Sequence, residues 1–176
     1  MSRSQIQVID ERLLDELLGR ARVAPRRRAI HCLHDGPWEH AHRMLNALTV
    51  GTYVRPHRHA SDYQSEAFIV LRGRLALLIF DEAGEVDARA SRLLGAPTGC
   101  LGLDVAPRIW HALVALEDAV IYEVKGHPAG GYVEERDKEF APWSPPEGGA
   151  GAGAYLETLE RAARQLEVNA ARQGRG

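Results

Sequence analysis

The sequence predicts an all-β sandwich or barrel carrying one helix at each end. From residue 29 to about 125 it is a succession of short apolar stretches separated by turn signals. No helical periodicity interrupts that region, and runs of strands without intervening helices read as all-β. Leucines at helical spacing are confined to a stretch near each terminus.

At the N-terminal end, Asp10 is a fitting N-cap for a helix carrying Leu13, Leu14, Leu17, Leu18 and Ala21 on one face. Pro25 stops it. Arg20, Arg22, Arg26, Arg27 and Arg28 follow as a basic cluster, read as a solvated rim or an anion-binding patch. The expected strands are Ala29–Leu33, Arg43–Val50, Phe68–Leu71, Leu75–Phe80, Glu85–Leu94, Cys100–Val105, Ile109–Ala115 and Ala119–Val124. Arg72-Gly73 and Asp81–Gly84 mark turns between them. Residues 126–154 are rich in Gly and Pro. They read as a crossing segment pinned by Phe140 and Trp143 up to about Pro146, then a flexible linker. Tyr155–Glu167 has helical spacing at Leu156, Leu159, Ala163 and Leu166, and the chain is expected to fray over Gln173–Gly176. The expected organisation is a helical extension over 1–28, a metal-binding barrel with its Pro-rich crossing segment over 29–147, and a linker with the C-terminal helix over 148–176.

Composition bounds the function. The chain of 176 residues is 45% hydrophobic and 26% charged with a formal net charge of -2, which fits one globular domain. That balance gives no bulk attraction to nucleic acid or to an acidic membrane surface. No stretch approaches the ~20 apolar residues of a membrane span, and the first residues lack the apolar core of a signal peptide. Cys32 and Cys100 are too few for a disulfide framework, so a cytoplasmic setting is expected. Only Lys125 and Lys138 among the 22 basic residues are lysine, which reads as genome composition rather than chemistry.

The chemistry is concentrated in one constellation. His57 and His59 stand two apart on an extended segment and so point to one side. Glu66 opens the next apolar run, and His111 lies in a separate segment. Singly, each histidine is as readily a surface or satisfied core residue. Together, three imidazoles and a carboxylate suit one divalent ion: Zn, Fe, Ni, Mn or Co. A structural zinc site more often uses thiolates, and neither cysteine belongs to this group.

Gly51-x5-His57-x-His59-x6-Glu66-x6-Gly73 resembles the first motif of the cupin superfamily, and Ala106-Pro-Arg-Ile-Trp-His111 resembles the second. The wider pattern is similar to the WbuC family of cupin-fold metalloproteins. It comprises Arg43, Gly51–His59, Phe68–Arg74, Glu123-Val-Lys125 and Asp137-Lys-Glu-Phe-Ala-Pro-Trp143, and the likeness covers roughly residues 8 to 147. The His59–Glu66 gap is longer than usual. Ala106 and Arg108 replace the usual Pro and Gly, and the Asn usual after the second motif is absent. The resemblance implies an all-β cupin (jelly-roll) β-barrel with metal held by His57, His59, Glu66 and His111.

Around the metal, Tyr53 and Arg55 share parity with His57 and His59, so they are candidates to bind substrate, Arg55 as a clamp for a carboxylate or phosphate. Arg43, Glu123 and Lys125 are weaker candidates of the same kind. His31, His34, His40 and His42 read as loop or supporting residues, and Trp110 as core. The resulting expectation is a metal-dependent enzyme on a small polar or sugar-derived ligand, of isomerase or oxygenase type. The resemblance places it in surface-polysaccharide synthesis. The alternative is a non-catalytic metal or ligand-binding module. A nucleic-acid regulator is disfavoured, because neither terminal region has room for a DNA-binding domain. A homodimer is expected from the apolar stripe of the first helix and from sheet edges that need cover.

Overall fold

The structure, a computed structural model, describes residues 6–126 and 131–173. Expectations placed on Met1–Gln5, on Pro128 and Gly130, and on the last three residues lie outside the described residues. The chain is mostly β, with two five-stranded antiparallel sheets and three helices. The strands are β1 (Arg28–Cys32), β2 (Ala41–Leu48), β3 (His57–His59), β4 (Glu66–Arg72), β5 (Leu75–Phe80), β6 (Arg92–Leu94), β7 (Gly102–Val105), β8 (Trp110–Ala115), β9 (Ala119–Gly126) and β10 (Lys138–Phe140). The helices are α1 (Glu11–Val23), α2 (Glu134–Asp137) and α3 (Ala152–Gln173). One sheet has the order β1-β2-β9-β4-β7, the other β10-β3-β8-β5-β6.

The sheets pack face to face. Leu48, Phe68 and Ile121 from the first meet Leu75, Leu77 and Leu113 from the second in one buried cluster. Each outer face is covered by a helix. Leu14, Leu17, Leu18 and Ala21 of α1 pack on Leu45, Ala47 and Val120 of the first sheet. Leu159, Ala163 and Leu166 of α3 pack on Ala76, Leu78, Ala112 and Val114 of the second. That double cover explains why every residue of β8 is buried, where a half-solvated strand would alternate. It also means that the stripe of α1, one of the two grounds for expecting a dimer, is spent on the chain's own sheet.

Local signals account for the boundaries. Asp10 caps α1 by accepting from the Leu13 amide at 2.9 Å. Gly73 turns between β4 and β5 at φ +74°, where an added Cβ would come within 2.2 Å of the Asp118 carbonyl oxygen. The expected strand over Glu85–Leu94 shrinks to Arg92–Leu94. The Asp87 carboxylate accepts from the amides of Arg89 (2.8 Å) and Ala90 (3.1 Å) and folds that stretch into a turn. α3 begins earlier and runs longer than its spacing predicts, and β10 and α2 stand inside what read as a Pro-rich crossing. The expected linker is tied at Glu147, which pairs with Arg26 and Arg28 at 2.6 Å each.

Leu78 is fully buried between β8 and α3. Leu78→Ala is expected to lower unfolding free energy by about 2–5 kcal/mol, read from urea denaturation. A loss under ~0.5 kcal/mol would mean that α3 does not close the second sheet.

Candidate metal centre

His57 and His59 lie on β3, and His111 on β8 beside it, with His57 directly opposite His111 in the register. Glu66 begins β4 in the facing sheet, so its carboxylate crosses the space between the sheets. All four residues are between 2% and 7% exposed, and one ligand atom from each lies within 4.8 Å of every other. The imidazole centroids are 4.6 Å apart for His57–His111 and 5.5 Å for His57–His59.

Each ring is held by its Nδ1. That atom faces the carbonyl oxygen of Arg55 in His57 (2.9 Å), of Asp137 in His59 (3.3 Å) and of Ile109 in His111 (2.9 Å). A carbonyl only accepts, so Nδ1 carries the proton and Nε2 is the atom left for coordination. Nε2 of His59 and of His111 each lie 3.2 Å from Glu66 Oε2. Two nitrogen lone pairs facing a carboxylate oxygen in a buried space need a proton or a cation between them. The His59 Nε2 is buried without a hydrogen-bond partner. The donor set therefore fits a divalent metal ion.

The electrostatics agree. Burial, followed by the Lys138 charge, holds the His57 imidazole well below its ordinary pKa and so in the neutral, ligating form. Burial pushes the Glu66 carboxyl up. The His111 and His59 imidazoles against its oxygen and the Lys125 charge outweigh that and hold it well below the usual carboxylate range. A divalent cation would take the place of the proton those close contacts require.

A polar network runs outward from Glu66. Lys125 Nζ lies 3.7 Å from Glu66 Oε1 and 3.2 Å from Glu123 Oε1, and Asn46 Nδ2 donates to Glu123 Oε2. Burial, then the Glu66 charge, raises the Glu123 carboxyl to about 8. Burial alone would lower Lys125, but Glu123 and Glu66 raise it above the ordinary lysine value.

These groups line a cavity of about 570 Å³ between the sheets. His57, Glu66 and His111 form part of its wall with Asn46, Glu123, Lys125, Tyr132 and Lys138. Leu48, Val54, Phe68 and Leu113 add apolar lining, and Arg28 and His34 also line it.

Of the residues expected to bind substrate, Glu123 and Lys125 line this cavity and three others point elsewhere. Arg55 donates to Ser144 Oγ (3.0 Å) and the Ala141 carbonyl (3.2 Å), pinning the crossing segment. Tyr53 donates to the Pro145 carbonyl at 2.8 Å. Arg43 pairs with Glu39. Pro56 breaks the parity that would have aimed Tyr53 and Arg55 with the histidines, since β3 begins only at His57. His34 and His42 stack at 4.0 Å on the cavity side. Asp62, at the tip of the loop after β3, pairs with Arg108 at 2.5 Å. Arg108 holds φ +65°, the left-handed backbone that the usual glycine of the second motif would take.

The N-terminal arginines are bound individually rather than forming a free anion patch. Arg20 and Arg27 donate to the carbonyls of Ile30 and Val50, and Arg22 pairs with Asp118. Asn46, Tyr132 and Lys138 were not singled out from the sequence. For Lys138 a signal was present in the scarcity of lysine.

Against known proteins, a family model described as a domain of unknown function (DUF6016) matches residues 9–91, a span that holds His57, His59 and Glu66 and ends before His111. No curated protein matches the chain. Among solved structures it is similar to a variant of salicylate 1,2-dioxygenase from Pseudoaminobacter salicylatoxidans in complex with gentisate. That match has 14% identity and TM-score 0.52, covering 76% of this chain and 37% of that one. A conserved protein of unknown function from Streptococcus pyogenes matches at 14% identity and TM-score 0.51, covering 73% and 93%. CapF with the inhibitor 3-isopropenyl-tropolone matches at 14% and 0.50, covering 66% and 32%. The chain thus spans about a third of the dioxygenase and of CapF. The shared feature is the fold, which is cupin-like.

Glu123 supplies a pH test on metal-free protein. Its folded pKa of about 8 lies above the ordinary 4.5, so its contribution to stability is full below 4.5 and is lost as pH rises to 8. Glu123→Gln removes that loss. The variant's stability relative to the unsubstituted chain is expected to grow from pH 4.5 to 8, by at most about 1.4 kcal/mol per pH unit. Taking the difference cancels the opposing contribution of His57, which does not face Glu123 directly. A difference that is flat with pH would show that Glu123 ionises normally.

Proposed function

We propose that the chain binds one divalent metal through His57, His59, Glu66 and His111 and acts as a metal-dependent enzyme on a small polar molecule. The observation that carries this is the convergence of three Nδ1-anchored imidazoles and a carboxylate on the wall of a ligand-sized cavity. When bound, such an ion supplies a Lewis acid with positions left for an oxygen ligand. The chain's own residues do the rest. The backbone carbonyls of Arg55, Asp137 and Ile109 orient the rings. Lys125 steadies Glu66 from the cavity side. Glu123, buried in the same wall, is placed to hold a proton at its carboxyl and exchange it with a ligand.

That last feature favours an enzyme over a passive binding module, which needs no titrating acid beside its ligand. Proton movement between adjacent carbons, as in isomerisation, would use Glu123 directly, whereas oxygen-dependent oxidation would draw on the metal. The similarity to the WbuC family supplies the proposed setting, surface-polysaccharide synthesis, with a sugar-derived compound among the candidate ligands.

His57→Ala with His59→Ala is expected to abolish stoichiometric metal, measured by elemental analysis of protein purified without a metal-affinity tag. A full equivalent retained by the double variant would place the ion elsewhere. Metal affinity should also fall as pH drops through the histidine range near ~6.5, because only neutral imidazole coordinates. Affinity unchanged down to pH 4 would rule out histidine ligation.

A further inference from the structure

We propose that the cavity recognises a small organic acid, with the carboxylate held by the Lys138 ammonium and a neighbouring oxygen turned to the metal centre. This names the ligand class for the metal site proposed above and rests on that reading. The chain has two lysines, and both line this cavity. Each stands directly across from a residue of the metal cluster, Lys125 opposite Glu66 in one sheet and Lys138 opposite His59 in the other. Cross-strand partners share a face, so both amines are delivered to the side that carries the cluster.

The two are not equivalent. Lys125 is committed to Glu123 and Glu66. The Lys138 side chain makes no hydrogen bond or ion pair among the described residues. Its ammonium lies 5.7 Å from the Phe140 ring and feels Lys125, Glu66, Glu134 and Glu123 only through space. Glu134 is another acid on the cavity wall, and it too makes no ion pair with Lys138. A half-buried ammonium without a fixed counter-ion is costly, and an incoming anion relieves that cost. With a divalent ion bound, its charge together with Lys125 and Lys138 outweighs Glu66, Glu123 and Glu134, so the inner wall favours negative charge.

The apolar part of the lining adds a second requirement. Leu48, Val54, Phe68 and Leu113 offer no hydrogen-bonding side-chain atom. A neutral sugar with hydroxyls on every face would leave some of them unpaired there, at a cost that disfavours binding. An acid with an apolar body satisfies both the polar and the apolar lining, and the ammonium and metal centre together fix its orientation.

The test is calorimetric binding to the zinc-loaded protein, with matched acids and amides as probes: mandelate against mandelamide, lactate against lactamide, and inorganic phosphate as a plain anion. The acids are expected to bind at least tenfold more tightly than their amides, and mandelate more tightly than lactate. Lys138→Met should remove the acid preference and Lys138→Arg should keep most of it, with zinc at one per chain in all three proteins. Mandelate binding unchanged in Lys138→Met, equal affinity for acid and amide, or phosphate binding with no binding of either acid would each overturn the proposal. If Lys138→Met melts early, Lys138→Gln carries the same comparison. If the unsubstituted chain holds no stoichiometric zinc, the metal reading fails. The acid-over-amide ratio and its dependence on Lys138 are then read on the metal-free protein, where a ratio near one sinks this proposal as well.

Discussion

A buried carboxylate oxygen 3.2 Å from the nitrogens of two imidazoles must be neutralised, and the inner wall is arranged around that need. The imidazoles cannot turn away, because backbone carbonyls hold their other nitrogens. Glu66 cannot withdraw to water, because it is buried between two sheets. A cation at the centre answers both constraints. Lys125 and Glu123 then form an outer layer that balances the charge of Glu66 from the side opposite the histidines. Without a central cation, the same geometry requires a proton on an imidazole nitrogen that faces the carboxylate.

Such an arrangement tolerates no slip in register. Moving β3 by one residue would send His57 and His59 to the far face and bring Arg58 inward. Arg58 is held outside by Glu82 and Glu139 and by stacking on Trp110, 4.1 Å from its ring centroid. The helices contribute from further away. α1 and α3 turn both sheets into buried layers, so the cavity is enclosed by strands packed on their outer sides. Arg72 ties β4 to α1 through Glu11 and Asp15, and Arg74 ties the start of β5 to α3 through Glu167 at 2.9 Å. The strand that begins with Glu66 is thereby anchored at its other end.

The sequence showed most of this architecture because its signals are local. Alternation, Gly73 and the leucine spacing of the two terminal helices each depend on nearby residues. The convergence of His57, His59, Glu66 and His111 was legible because the spacing on β3 is local and the motif carried the rest. Contacts that depend on tertiary structure were not legible. Tyr53 and Arg55 have the right parity for the cavity, but the strand starts after Pro56 and both side chains are taken up by the segment from Ala141 to Pro145. β10 is only three residues long, inside a stretch whose prolines read as loop. Its pairing with β3 joins residues some eighty positions apart, so Lys138 could not be placed beside His59 from spacing alone.

The use of two kinds of cation completes the argument. Arginine offers a flat, multi-donor group that suits fixed partners, and the arginines at the edges and seams of the sheets use it that way. Arg28 reaches the cavity, yet its donors are occupied by the Tyr53 carbonyl at 2.7 Å and by Glu147. Lysine is a compact point charge on a flexible stem, able to follow a ligand without a preset geometry. In a chain that otherwise uses arginine for its basic residues, lysine stands where the wall must stay open to an incoming group. Of the two, Lys125 steadies the cluster, and Lys138 is the one left with a charge to offer.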